Sequence, residues 1–205
     1  MLGNTGFDLW ADGYDVSVGL SDENDSYPFA GYKRVLGSIY EMVMARGKPT
    51  VLDLGFGTAT LTARLYEQGC EIWGQDFSDR MIALAREKMP KAHLFKGDFN
   101  EGLRAELKLE HYDFIVATYA LHHLDDAQKV AFIKTLLPLL KKDGAILMGD
   151  VAFPNREEHE RCRAIAGEEW DDEEFYFVYD ELHRHFPQMT FERISHCAGV
   201  LRVGN

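Results

Sequence analysis

The stretch VLDLGFGTAT at residues 51–60 constrains this chain more than any other. Three apolar residues, Val51, Leu52 and Leu54, flank one acid, Asp53, and two glycines follow, Gly55 and Gly57. A short apolar run ending in glycine predicts a buried parallel strand, a tight turn and a helix that begins near Thr58. Glycine is needed where a ligand lies against bare backbone, or where the turn takes a positive φ. The helix behind such a turn presents unpaired N–H groups and the positive end of its dipole. A loop of this kind holds a nucleotide-like ligand.

The residues narrow the choice of ligand. A dinucleotide fingerprint requires G-x-G-x-x-G, and Thr60 stands where the third glycine belongs. The phosphate loop G-x-x-x-x-G-K-[ST] does not occur. Asp53, two places before Gly55, suits a ligand with a positive charge or many donors better than a pyrophosphate. The next apolar run, EIWGQDF at 71–77, ends in Asp76 about 20 residues beyond the glycines. An acid at that place in a nucleotide-binding α/β fold accepts hydrogen bonds from ribose hydroxyls. HLFKGDF at 93–99 is a third strand ending in Gly97-Asp98, YDFIVATYALHHL at 112–124 a fourth, and LLKKDGAILMGD at 139–150 a helix end, an Asp-Gly turn and a fifth strand. Strands and helices alternating at this spacing give a parallel sheet with right-handed crossovers.

At Asp53-Leu54-Gly55-Phe56-Gly57 the chain resembles motif I of the class I S-adenosylmethionine (SAM) methyltransferases, D-x-G-x-G-x-G, with Ala59 in place of the last glycine. The ordered strands over roughly residues 50–152 fit the same family. The resemblance implies a Rossmann-like α/β fold with a mostly parallel seven-stranded sheet in the order 3-2-1-4-5-7-6. It implies an antiparallel last pair and helices on both faces. It also implies that Asp53, Gly55, Gly57, Thr58, Asp76 and Phe77 surround SAM together with Asp98, Phe99 and Thr118, and that Asp98 contacts the adenine amino group. The stretch at residues 8–15, Asp8-Leu9-Trp10-Ala11-Asp12-Gly13-Tyr14-Asp15, is similar to the D-W-A-x-x-Y-D start of small bacterial-type members. In small-molecule relatives that segment folds over the pocket, so Trp10 and Tyr14 are expected at the cofactor, where aromatic faces attract a sulfonium.

The remaining segments read as scaffold. An apolar face of Val35, Ile39, Met42 and Val43 predicts a helix from about 28 to 46. Helices are expected over 58–68, over 78–89 with Ser78 as N-cap, and over 125–142 with Pro138 as a kink. Residues 100–110 read as a loop with a short helical stretch. Residues 155–186 read as charged and helical, their acidic run at 168–174 as a solvated face. TFERISHCAG and VLRVGN are expected to pair as a terminal hairpin. The whole is one domain: an arm and helix to residue 48 forming a lid, a SAM-binding core over 49–152, and a substrate-side end over 153–205.

Composition excludes several function classes. The chain has 205 residues, enough for a sizeable core, and a net charge of −12 with its lysines and arginines scattered. Neutralising phosphates needs a basic face, so a nucleic-acid partner is disfavoured. No apolar run approaches the roughly 18 residues needed to span a membrane, and no signal peptide opens the chain. The three cysteines, Cys70, Cys162 and Cys197, are odd in number and far apart, which predicts a reducing cytoplasm and excludes a closely spaced cluster motif.

Methyl transfer from a sulfonium is an in-line displacement that needs an aligned nucleophile and the exclusion of water. Tyr119, His122, His123 and Asp150 fall at the strand ends where a small-molecule acceptor is expected. Tyr119, His122 and His123 are the catalytic candidates, one imidazole serving as base or orienting group. No metal is expected, because adjacent histidines diverge and no third ligand is close in sequence; His183 and His185 do not share a helix face. The stretch at 117–120, Ala117-Thr118-Tyr119-Ala120, lacks the N-P-P-[YF] pattern of base-modifying members. The expected activity is SAM-dependent methylation of a small molecule. The alternatives are a SAM- or S-adenosylhomocysteine (SAH)-binding protein without transferase activity and, disfavoured by Thr60, a dehydrogenase of the NAD type.

Overall fold

The computed structural model describes residues 26–204; Trp10 and Tyr14 lie outside the described residues. The first helix, α1 (Tyr32–Met44), packs Val35, Ile39 and Val43 inward. It starts four residues later than its apolar spacing suggests, because residues 27–30 form a turn and Gly31 takes φ 80°. Then follow β1 (Thr50–Leu54), α2 (Thr60–Glu67), β2 (Glu71–Asp76), α3 (Asp79–Lys88), β3 (His93–Lys96) and β4 (Tyr112–Thr118). Ser78 caps α3 by accepting from the Met81 N–H at 3.2 Å.

The helix expected over 125–142 ends at Leu136. It is α4 (Asp126–Leu136), opened by a capping box between Asp125 and Gln128. Pro138 sits in a 3-10 turn over Leu137–Leu139, and β5 (Leu140–Phe153) begins directly after it. The Asp-Gly turn lies inside β5, where Asp143 takes φ 62° and the pairing with β4 shifts register. The charged segment beyond is α-helical in α5 (Arg156–Ala166) and α6 (Tyr179–His183), with a 3-10 turn over Gly167–Glu169 and the short β6 (Phe177–Val178) between them. The terminal hairpin is β7 (Thr190–Arg193) with β8 (Ala198–Gly204), so its second strand begins two residues before Val200.

The sheet runs β3-β2-β1-β4-β5-β8-β7, with β6 added beside β5. This is the expected order with one extra short strand. β8 pairs antiparallel with both β5 and β7, and the pairs from β3 to β5 are parallel. Alternation along the strands divides the core into two layers. Val51, Phe114, Val116, Ala145 and Leu147 face α1, α2 and α3; Leu52, Leu54, Ile115, Ile146 and Met148 face α4 and the C-terminal elements. The crossover direction reverses between β1 and β4, which opens a crevice at their C-terminal ends.

One buried charge ties the second layer to that crevice. Lys129 of α4 is 0% exposed, lies 4.9 Å from the Phe177 ring and donates to the Phe175 carbonyl. The Phe175 N–H donates to the His122 carbonyl at 2.7 Å, so residue 175 is held from both sides. Lys129→Ala strands a buried carbonyl and leaves a cavity, a cost of about 2–4 kcal/mol. Thermal unfolding is expected to fall by roughly 5–12 °C, and limited proteolysis to cut first within 170–176.

Candidate functional site

The turn after β1 is built from left-handed backbone. Gly55, Gly57 and Ala59 take φ of 75°, 52° and 62°. The family's third glycine therefore answers a conformational demand, and Ala59 meets it at a cost of about 1 kcal/mol. Phe56 turns back onto the sheet over Gly74, where an added Cβ would stand 2.7 Å from its ring. α2 begins at Thr60, two residues later than expected, because these left-handed residues delay it. The Asp76 carboxylate ties the turn to the head of α3, accepting from Gly57 N–H at 2.9 Å on one oxygen and from Ser78 N–H at 3.0 Å on the other. Lys88 Nζ donates to the Thr58 carbonyl at 2.6 Å.

A cavity of about 1060 Å³ opens above this turn. One half is lined by Asp53, Gly55, Gly57, Asp76 and Asp98, with the side chains of Phe77 and Phe99. Thr58 and Thr118 line it as well, so every described residue expected at the cofactor reaches the same cavity. Gln75, fully buried, holds the rim by accepting from Arg104 N–H at 2.9 Å and donating to the Gly102 carbonyl at 3.1 Å. Asp98 accepts from the Asn100 N–H at 2.8 Å and stays exposed at the mouth.

Asp53 is 1% exposed, and Thr62 donates to its Oδ2. Its Oδ1 is buried without a hydrogen-bond partner among the described residues. Burial, partly offset by the Thr62 hydrogen bond and reinforced by Asp76, pushes its pKa up to about 7. A buried acceptor without a donor, at the edge of a cavity, fits a ligand that brings a cationic donor.

The other half is lined by Tyr119, His122, His123, Glu174 and Tyr176, with Tyr27. Tyr119 takes φ 50°, a strained value for a bulky residue, and packs at 5.4 Å and 5.1 Å against the Phe29 and Tyr32 rings. His122 Nδ1 lies 2.8 Å from Asp150 Oδ1, and its Nε2 lies 3.5 Å from Glu174 Oε1. Burial alone lowers the His122 pKa, but the Asp150 carboxylate, with Glu174, outweighs it and holds the imidazole above its usual range. Burial and the neighbouring His122 push His123 down to about 4, and burial raises Glu174.

Three expectations are corrected here. The two imidazoles converge, with ring centroids 4.3 Å apart, because the 3-10 turn over Leu121–His123 brings both rings to one side. A third potential ligand, Glu174, is distant in sequence and adjacent in space. Asp150 does not line the cavity; it stands behind His122 and acts through that ring. The acidic run at 168–174 is a pocket wall at Glu174, not solely a solvated face. Its neighbour Tyr176 is 3% exposed and hydrogen-bonded to Tyr27, and Tyr27 stacks on Trp170 at 5.1 Å. The aromatics crowded around that acidic run were the available signal in the sequence.

Comparison with known proteins agrees with this architecture. Residues 51–144 match the family model described as a methyltransferase domain. An uncharacterized methyltransferase of Geobacillus sp. (strain WCH70) is 38% identical over 181 residues, covering 88% of this chain and 80% of that protein. This chain belongs to the class I SAM-dependent methyltransferases. A second relative, an uncharacterized methyltransferase of Bacillus cytotoxicus, is 31% identical over 96% of this chain and 95% of its own length. Among solved structures, the methyltransferase fold is shared with magnesium protoporphyrin IX methyltransferase from Synechocystis PCC 6803 with bound SAH, at TM-score 0.67, 17% identity and coverage of 86% and 85%. It is shared with the DhpI–SAM–HEP complex at TM-score 0.71, 16% identity and coverage of 97% and 94%. The cofactor that comes with membership is SAM.

The two glycines of the methyltransferase turn carry different loads. A Cβ on Gly55 would stand 2.4 Å from Ala120 Cβ, whereas one on Gly57 would meet nothing within 4 Å. Gly55→Ala is expected to cost about 2–4 kcal/mol, from left-handed strain and overpacking together, and Gly57→Ala about 1 kcal/mol. Thermal unfolding of the two variants side by side checks the ranking.

Proposed function

We propose that this methyltransferase moves the methyl group of SAM to a small-molecule acceptor bound beside Tyr119, His122 and His123. The observation that carries the reading is the continuity of one cavity from the glycine turn to the imidazole pair. An acceptor half that is open supports transfer over cofactor binding alone.

The roles follow from the donor and acceptor chemistry. Asp53 would take the cofactor's ammonium on its partnerless Oδ1, and Asp76 the ribose hydroxyls. Asp98 would face the adenine amino group, with Phe77 and Phe99 against the ring. Gly55 and Gly57 let the cofactor lie on bare backbone, and Thr58 and Thr118 close its sides. In the reaction the acceptor's lone pair forms the bond to the methyl carbon as the carbon–sulfur bond breaks. The electron pair goes to sulfur, leaving SAH. The electrophile is already activated, so the protein's contribution is alignment and exclusion of water. His122, oriented through Nδ1 by Asp150, and His123 would hold the nucleophilic atom, with Glu174 and Tyr176 forming the wall behind it. We place the protein in the cytoplasm, a location with which its three free cysteines accord.

Calorimetric titration with SAH, with NADH as control, tests the cofactor, and a metabolite screen for methyl uptake tests the acceptor. Binding of SAH without uptake by any metabolite would reduce the protein to a binder. Binding of NADH alone would sink the reading entirely.

Asp53 makes the titration pH-dependent with a definite sign. Below pH 7 its carboxyl is protonated in the free protein. An arriving ammonium favours the carboxylate, so SAH binding at pH 6 should release a proton, and at pH 8.5 it should release none from this group. Calorimetry in buffers of different ionisation enthalpy measures that release, and Asp53→Asn should abolish it while weakening SAH binding by roughly tenfold or more. His123→Ala should lower kcat/KM for the acceptor by at least about 100-fold.

A further inference from the structure

Two hydrogen-bond acceptors face each other across the acceptor half of the cavity. Asp150 is a carboxylate and only accepts, so the proton on neutral His122 sits on Nδ1, and Nε2 carries a lone pair. That lone pair is aimed at Glu174 Oε1, 3.5 Å away, in a place where His122 is 9% and Glu174 23% exposed at the side chain. With Glu174 ionised, and hydrogen-bonded to Tyr176 on its other side, a cation between the two would be shared by both.

The spacing is informative. Ligand atoms at about 2.0–2.2 Å from a tetrahedral ion lie roughly 3.3–3.5 Å from one another. The His122–Glu174 pair already has that separation. A third donor converges on the same point, since one ligand atom each of His122, His123 and Glu174 lie within 4.8 Å of one another. A metal ion differs from a proton on Nε2 in that it would engage all three of these groups at once. The carboxylate behind Nδ1 is the outer partner that metal-ligating histidines ordinarily carry, fixing the tautomer and ring orientation.

We propose that His122 Nε2, His123 and Glu174 bind one divalent transition-metal ion, with Zn²⁺ the cation best suited to two imidazoles and a carboxylate. Three protein ligands leave a position open, and it faces the cavity, where an oxygen or sulfur of the acceptor completes the coordination. This deepens the reading above, since the same imidazoles then hold the acceptor through the ion. It selects acceptors that present a hydroxyl, thiol or carboxylate. The ligands come from two segments that the Lys129–Phe175 and Phe175–His122 hydrogen bonds hold together, so the site is assembled by the fold.

The test uses the full chain, stripped with chelator and titrated with Zn²⁺ by calorimetry and with Co²⁺ as a spectroscopic probe, with SAH titrated in parallel. The expected result is one equivalent of Zn²⁺ bound at micromolar affinity or tighter, and visible Co²⁺ absorption bands of low-coordinate geometry. His123→Ala and Glu174→Gln should each weaken Zn²⁺ binding at least about 100-fold. Asp150→Asn should weaken it about 10–100-fold, and the exposed His196→Ala should leave it unchanged. Wild-type protein that binds SAH but no Zn²⁺ or Co²⁺ overturns the metal site and leaves the methyltransferase reading intact, with an imidazolium bridging the two carboxylates. Zn²⁺ binding that survives both His123→Ala and Glu174→Gln also overturns it, because the ion then sits elsewhere. Failure to bind SAH refutes the cofactor assignment alone, since the metal titration reads out without it.

Discussion

The left-handed backbone between β1 and α2 is the constraint on which the rest depends. Three residues with positive φ within five positions let the chain leave the sheet and re-enter as a helix without covering the strand ends. Asp76 holds that geometry by accepting from the Gly57 N–H while its other oxygen accepts from Ser78 N–H at the head of α3, and it stands at the cavity edge. One carboxylate thereby shapes the loop and faces the cofactor half of the cavity. Ala120 closes against Gly55 from the β4 side, so the turn and the acceptor loop are locked to each other. A change in either is felt by both halves of the cavity.

The acceptor half rests on a different device, a line of groups running from the sheet outward. Asp150 on β5 holds His122, His122 meets Glu174, and the segment carrying Glu174 is secured at Phe175 by Lys129. Each member is buried or half-buried, so each hydrogen bond and charge interaction is stronger than it would be in water. Burial alone would raise Glu174 and lower both histidines; the Asp150 carboxylate raises His122 against that effect, whereas the neighbouring His122 adds to it at His123. Adjacent residues of the same type are thus shifted in opposite directions.

Legibility in the sequence followed the range of the interactions. The strand-glycine-helix stretch, the acids at the ends of β1, β2 and β3, and the sheet order all stand in local patterns, and the three acids line one cavity. The end of α4 is not legible in the sequence, because Pro138 and the apolar Leu139-Leu140 pair suit a 3-10 turn and a buried strand as well as a helix. The acidic run at 168–174 was read as solvated because side-chain composition carries no direction. The two hydrogen bonds at Phe175, with the Tyr176–Tyr27 hydrogen bond, hold Glu174 and Tyr176 inward.

By itself the sequence determined the fold class and the family, and it named the residues that line the half of the cavity at the glycine turn. Those depend on residues a few positions apart, where a glycine or an acid has the same consequence in any member of the fold. Tertiary structure alone decided which groups meet the imidazole pair. His122, Asp150 and Glu174 are brought together by β4, β5 and a segment past α5, and no spacing along the chain announces a meeting of side chains 28 and 52 positions apart. The physical reason is that this contact is set by packing of the two sheet layers and by one buried lysine, and both exist only once the chain has folded.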